Sequence, residues 1–248
     1  MSKNDKKDKF DKMSSGDLIS ELKNYQYGSD THTRIRKAIS KHTAKKYPNQ
    51  FVLCTPNKFN ITDDKEYLSL KEEVTTTQLS SDKTFFEDNR YRFVPREDAE
   101  YNFAWKQINV FGFITDGTHV ILLEKVTNKD ITMIGGHVDY SLDAYKVSQK
   151  ELIRMNMQKE LDEEIAHEGL LTVPEEPIAL INTFDKFHDL FHMAFIYKIH
   201  VDNANDLFDK ITTGEPEKHN IIKIRRKDLS QYPIHHWIKL IEHKMGKN

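Results

Sequence analysis

The chain has 248 residues, of which 31% are charged and 38% hydrophobic, with a formal net charge of −2. This is too apolar for a disordered chain and long enough for one large domain, or for one standard domain with a smaller attachment. The near balance of charge excludes a global pull toward nucleic acid or anionic membrane, the lone Cys54 excludes an internal disulfide, and no uninterrupted apolar stretch approaches membrane-spanning length.

Residues 1 to about 12 alternate Lys with Asp and predict a solvated, disordered tail. The tail has no apolar signal core, which together with the single cysteine leads us to expect a cytoplasmic protein. Ser14 or Ser15 caps a predicted helix through Tyr25, with Leu18, Leu22 and Tyr25 on one face. After the break at Tyr27-Gly-Ser-Asp30, a second helix is predicted from Thr31 or Thr33 to Lys46, burying Ile35, Ala38, Ile39 and His42. Its other face carries Arg34, Arg36, Lys37, Lys41 and Lys45. No recognised binding motif accompanies them, so they read as a solvated surface in preference to an RNA contact.

Gln50 to Cys54 reads as a buried strand, and Asn57 to Lys83 as a polar loop with one helix at Lys65 to Glu73. A boundary near residue 82 divides a mainly helical N-terminal extension (1–82) from a catalytic domain (83–248). From Phe85 onward β-like runs multiply: Tyr91 to Pro95, Gln107 to Thr115, His119 to Lys125, Pro177 to Phe184, Leu190 to Val201 and Asn220 to Arg225. Asp116-Gly117 is the hairpin turn between the second and third. Two helices interrupt the strands, an acidic one and a C-terminal one from about Ile234 to Lys244. The class is therefore α+β, with a mixed sheet covered by helices.

The chain is organised around Gly135 to Gly169. In Lys159-Glu160-Leu161-Asp162-Glu163-Glu164, a helix places Glu160, Glu163 and Glu164 at i, i+3 and i+4, three carboxylates on one face. Ile153, Met157, Leu161 and Ile165 recur every fourth residue and bury the other side. Lys159 neutralises only part of that charge, whereas a hard divalent cation such as Mg²⁺ or Mn²⁺ prefers several carboxylate oxygens. Upstream, Gly135-Gly136 follows a β-branched run and lets backbone approach a ligand closely, with His137 and Asp139 in the loop beyond.

These residues resemble the signature of the Nudix hydrolases: Gly, five residues, Glu, seven residues, Arg-Glu-apolar-any-Glu-Glu-any-Gly-apolar. Glu151 stands seven residues before Lys159, and Glu160, Leu161, Glu163 and Glu164 match in register. Lys159 replaces the arginine, Ala166 and His167 replace the closing pair, and fourteen residues separate Gly136 from Glu151 where the family has five. The extra length falls at about Tyr140 to Gln149, in a loop, where closure entropy rises slowly with length. Lysine's point charge cannot hold two carboxylates in a fork as arginine does. Phe93 to Glu100, Lys106 to Val110, His188 to Phe195 and Trp237 are similar to a bacterial subgroup described as Nudix phosphoesterases, over roughly the last two thirds of the chain.

The resemblance implies an α/β/α sandwich and a metal-dependent hydrolase that cuts a phosphoanhydride in a nucleoside-diphosphate-linked small molecule by attack of water on phosphorus. It implies Glu160, Glu163 and Glu164 as metal ligands, with a carbonyl of Gly135 or Gly136. Glu160 is also a proton acceptor, and Glu151 and Lys159 are supports behind the ligands. A further acid from a late loop falls at Glu215 or Glu217, with Glu217 preferred as catalytic. His137, Asp139 and His192 are the expected substrate contacts. His188 and His192, four apart, share a strand face and contact substrate or core, whereas a helix would suit them to zinc. Two alternatives remain. One is a nucleotide-sensing module without turnover, suggested by Lys159, Ala166 and the insertion; the other is an RNA cap-removing hydrolase that uses the basic helix. The sequence leaves the substrate and the oligomeric state open.

Overall fold

A computed structural model describes residues 9–26, 28–57, 75–77, 91–141, 144, 146–183 and 186–245, with backbone alone at 75–77 and 244–245. The boundary expected near residue 82, the helix expected at Lys65 to Glu73, and Phe184 lie outside the described residues. The strands among them are β1 (Phe51–Pro56), β2 (Thr75–Thr77), β3 (Arg92–Pro95), β4 (Trp105–Thr115), β5 (His119–Lys125) and β6 (Ile131–Thr132). They continue with β7 (Ile134–His137), β8 (Ile165–Ala166), β9 (Ala179–Asn182), β10 (His192–His200), β11 (Thr212–Thr213) and β12 (His219–Arg225). The chain divides into two compact units: residues 1–74, 89–107 and 183–192, and residues 75–88, 108–182 and 193–248.

In the first unit, Ser14 and Ser29 cap helices α1 (Ser15–Leu22) and α2 (Asp30–Lys46), each hydroxyl accepting an otherwise unpaired helix N–H at 3.2 Å. Leu18 and Leu22 pack against Ile35, Ala38 and Ile39, with Phe10 inserted among them. The expectation of a disordered tail to residue 12 is therefore corrected for Lys9–Lys12, which form one turn of 3-10 helix. A single aromatic side chain gains about 2–3 kcal/mol on burial, enough to pin a short polar segment. Lys41 and Arg34, from the basic face of α2, are used locally. Lys41 Nζ is 2.8 Å from Asp11, and the Arg34 guanidinium lies over the Phe10 ring.

The same unit pairs β1 antiparallel with β3 and with the first residues of β4, Val52 opposite Val94 and Cys54 opposite Gln107. Lys106 is buried there, its Nζ 3.4 Å from the Thr183 carbonyl, while the Thr183 hydroxyl donates to Asp189 at 2.6 Å. Burial pushes the Lys106 ammonium down to about 7, against the pull of Asp189. His188 and His192 do not share a strand as expected. His188 lies in the 3-10 turn Phe187–Leu190, β10 begins at His192, and the two rings stack 3.8 Å apart.

The second unit is a sheet in the order β12-β5-β4-β10-β9-β2, with β6 on β5 and β7 on β4. The predicted strands recur within one to three residues at most ends. Most pairs are antiparallel. β4 and β10 are neighbours whose backbone bonds join Gln107 to Phe191 and Thr115 to Val201, so they run parallel and the sheet is mixed. Asp116-Gly117 closes the β4–β5 hairpin, Asp116 accepting from the N–H groups of Thr118 and His119. Alternation along β4 sets the layers. A side chain at Gly112 would meet Met157 of the acidic helix (Gln149–Glu164). Its neighbour Phe113 packs in a core with Trp237, Ile238 and Ile241 of the C-terminal helix (His236–Met245). Helices thus cover both faces, an α/β/α sandwich. No helix among the described residues is long and apolar enough to cross a membrane.

Truncating Ile35, which is fully buried between α1 and α2, is expected to cost about 2–4 kcal/mol in urea unfolding of Ile35→Ala. A loss well under 1 kcal/mol would contradict the packing described.

Candidate metal centre

Ser148 accepts the Glu151 N–H and starts the acidic helix, which then presents Ile153, Met157 and Leu161 to the core, each fully buried. The helix stops at Glu164, and Ile165, the fourth member of the stripe, already belongs to β8. The edge of the helix that carries the carboxylates lies on β7. Gly135 has φ +138° and its N–H donates to Glu164 Oε2 at 2.6 Å; a Cβ there would stand 2.0 Å from the Val110 carbonyl. A Cβ on Gly136 would stand 2.6 Å from Glu160 Oε2. Glycine is therefore required at 135 by the approach of the Val110 backbone, whereas a side chain at 136 would push the Glu160 carboxylate aside.

A second clamp holds the C-terminal end of the helix. β8 pairs with β11, Ala166 opposite Thr212 and Ile165 opposite Thr213, and Gly214 N–H donates to the Glu164 carbonyl at 2.9 Å. A Cβ at Gly214 would fall 2.1 Å from the Glu163 carbonyl, so only glycine lets the next turn come this close. In that turn the Glu215 carbonyl accepts from the N–H groups of Lys218 and His219 at 2.9 and 3.0 Å. An i to i+4 turn puts Glu215 and His219 on one side, and Glu217, two residues on, is exposed. Ligand atoms of Glu164, Glu215 and His219 all lie within 4.8 Å of one another.

This crowding raises the carboxyl pKa values. Burial pushes Glu164 up to about 8, with the Glu160 and Glu215 charges adding to it and the Gly135 N–H and Lys218 opposing. Glu160 is pushed up to about 7, again chiefly by burial, with Lys159 opposing and the Glu163, Asp139 and Glu215 charges reinforcing. Lys159 Nζ sits 3.6 Å from Glu163, 3.7 Å from Asp139 and 3.9 Å from Glu160. Burial works against its charge, but these three carboxylates outweigh it and raise the ammonium pKa. Lys218 pairs with Glu215. Burial also lowers the pKa of His219, against the pull of Glu215.

The fold brings Glu160, Glu164, Gly136, Lys159 and Asp139 together. Glu163 stays half exposed beside Lys159. Glu151 is held at the start of the helix, where Arg154 grips its carboxylate at 2.6 and 2.9 Å. Nine residues of helix, about 13 Å of rise, separate it from Glu160. His137 is on β7 in register with Asn109, and His192 belongs to the first unit, buried against His188. Glu215, the alternative to Glu217, is the late-loop acid that reaches the cluster. Two residues escaped the sequence reading. His219 directly follows the Glu-Pro-Glu-Lys turn, a placement that only the turn's geometry makes informative. Asn156 is buried on the helix and accepts the Asp139 N–H at 2.9 Å, tying down the loop beyond the glycines.

No family model and no curated protein matches the sequence. The fold has counterparts. The crystal structure of Tm1382, a candidate Nudix hydrolase, matches with a TM-score of 0.54 at 19% identity over 73% of this chain and 88% of that one. A MutT Nudix hydrolase from Burkholderia pseudomallei matches with 0.41 at 15% identity over 56% of this chain and 96% of that one. A Nudix-family hydrolase from Clostridium perfringens gives 0.38 at 17% identity over 56% and 95%.

Two outcomes test the geometry. Gly135→Ala is expected to lose more than about 3 kcal/mol by thermal or urea unfolding, because backbone meets backbone, whereas Gly117→Ala, with open space around it, costs only about 1 kcal/mol. The second concerns pH. Glu160 and Glu164 have folded pKa values above the unfolded one, so their contribution to stability is complete below about pH 4.5 and is lost as pH rises through 7 and 8. Metal-free protein should therefore lose stability on the order of a few kcal/mol from pH 5 to 8.5, and Glu164→Gln should flatten that fall. Parallel pH profiles for the two proteins would refute it.

Proposed function

From a chain with the Nudix hydrolase fold, we propose a metal-dependent hydrolase that cleaves a phosphoanhydride in a nucleoside-diphosphate-linked substrate by attack of water on phosphorus. The observation that carries this reading is the convergence of Glu160 and Glu164 on the Gly135-Gly136 backbone, with Glu215 brought beside Glu164. Clustered carboxylates suit a divalent cation such as Mg²⁺ or Mn²⁺. The donors would be Glu160, Glu164 and Glu215, with Glu163 and a carbonyl of the glycine pair at the margin. A cation bound there would offset the charge of the diphosphate and lower the pKa of the attacking water.

The chain's own residues supply the rest. Lys159 lies between Glu160, Glu163 and Asp139 and sets their spacing through charge alone, in the absence of an arginine fork. Asn156 fixes the backbone at Asp139, and so the side of the cluster where His137 and Asp139 would meet substrate. Glu160, at the edge of the cluster beside Lys159, is the group we assign to accept a proton from the attacking water. In this reading Glu215 replaces Glu217 as the late-loop acid, and Glu151 acts on the helix start through Arg154.

Turnover of a diphosphate panel (nucleoside triphosphates, dinucleoside polyphosphates, NAD, ADP-ribose, nucleotide sugars and capped RNA) with Mg²⁺ or Mn²⁺ tests the proposal. Glu164→Gln and Glu160→Gln are each expected to lower kcat by about 10²-fold or more. Unchanged turnover in both would sink it. Metal-dependent thermal stabilisation with no product from any substrate would favour the sensing module instead.

A further inference from the structure

We infer that His219 is a nitrogen ligand of the metal centre, and that it tilts the site toward Mn²⁺ over Mg²⁺. This rests on the reading of Glu160 and Glu164 as metal-holding, and it extends that site beyond oxygen donors.

The placement of His219 is fixed by backbone. The strand pair β8–β11 and the Gly214 bond to the Glu164 carbonyl seat the turn on the helix end. The Glu215 carbonyl then binds His219 N–H, and beyond it β12 pairs with β5, His219 opposite Lys125. The main chain of His219 is therefore held from both sides, and one ring nitrogen lies within 4.8 Å of carboxylate oxygens of both Glu164 and Glu215.

An imidazole beside two carboxylates ordinarily donates to one of them. Among the described residues His219 forms no side-chain ion pair within 4.0 Å, and its buried Nδ1 has no hydrogen-bond partner. Three donor atoms within 4.8 Å of one another, with the imidazole bonded to neither carboxylate, need only small side-chain movements to close on one ion, since metal–donor distances are about 2.0–2.3 Å. The chemical consequence follows from the donor. Mg²⁺ holds to oxygen ligands and water, whereas Mn²⁺ and the later divalent metals accept imidazole nitrogen.

The test uses the full chain with MnCl₂ and MgCl₂. Mn²⁺ binding is followed by electron paramagnetic resonance, Mg²⁺ by competition, and electron spin-echo modulation reports ¹⁴N coordinated to bound Mn²⁺. Wild type should give ¹⁴N modulation. His219→Gln should lose it and bind Mn²⁺ about 10-fold or more weakly, with Mg²⁺ affinity changed less than about 3-fold. Bound Mn²⁺ without ¹⁴N modulation in the wild type, or an unaltered Mn²⁺ to Mg²⁺ preference in the variant, would overturn the inference and leave the carboxylate site standing. Absence of binding of either ion to wild type would overturn both. The wild-type spectrum needs no variant, so it decides the matter even where His219→Gln does not fold.

Discussion

The contact between Gly135 N–H and Glu164 Oε2 is the constraint on which the rest of the site depends. It requires a strand with no side chain at that point, because the adjacent Val110 carbonyl leaves no room for one. It also requires a helix whose apolar stripe is buried deeply enough to bring its last turn onto that strand. Ile153, Met157 and Leu161 supply that burial, and the carboxylates are carried along into a place where water solvates them poorly.

Burying carboxylates side by side is unfavourable unless something else stabilises the arrangement. Here it is held by packing and by backbone ties that do not depend on charge: the glycine strand on one side, the β8–β11 pair and Gly214 on the other. A carboxylate cluster built this way is organised before any ligand arrives. Lysines 159 and 218 moderate the charge without filling the cluster, each sharing its charge with carboxylates at the margin.

The first unit follows a different logic. Part of its core comes from two capped helices and Phe10, and its polar interior includes a buried network of Lys106, Thr183 and Asp189. The chain segments that build this unit are far apart in sequence, since residues 89–107 and 183–192 join the N-terminal helices.

Periodicity determined much of the structure in advance. Four-residue spacing set the acidic helix and its buried stripe, alternation and the Asp116-Gly117 turn set the hairpin and most strands, and the four-residue step from Glu160 to Glu164 put both carboxylates on one edge of the helix. These are local signals, set by how side chains project from a regular backbone. What tertiary structure alone decided was which distant groups meet. Glu215 comes within 4.8 Å of Glu164 through a turn anchored at Gly214, while Glu217 in the same turn is exposed. His219 joins them through that same turn, Phe10 folds in where charge predicted a tail, and His188 turns out of the strand that His192 begins. For Glu215, His219 and Phe10 the outcome rests on close approach between segments separated by tens of residues, which the local pattern of neither segment encodes.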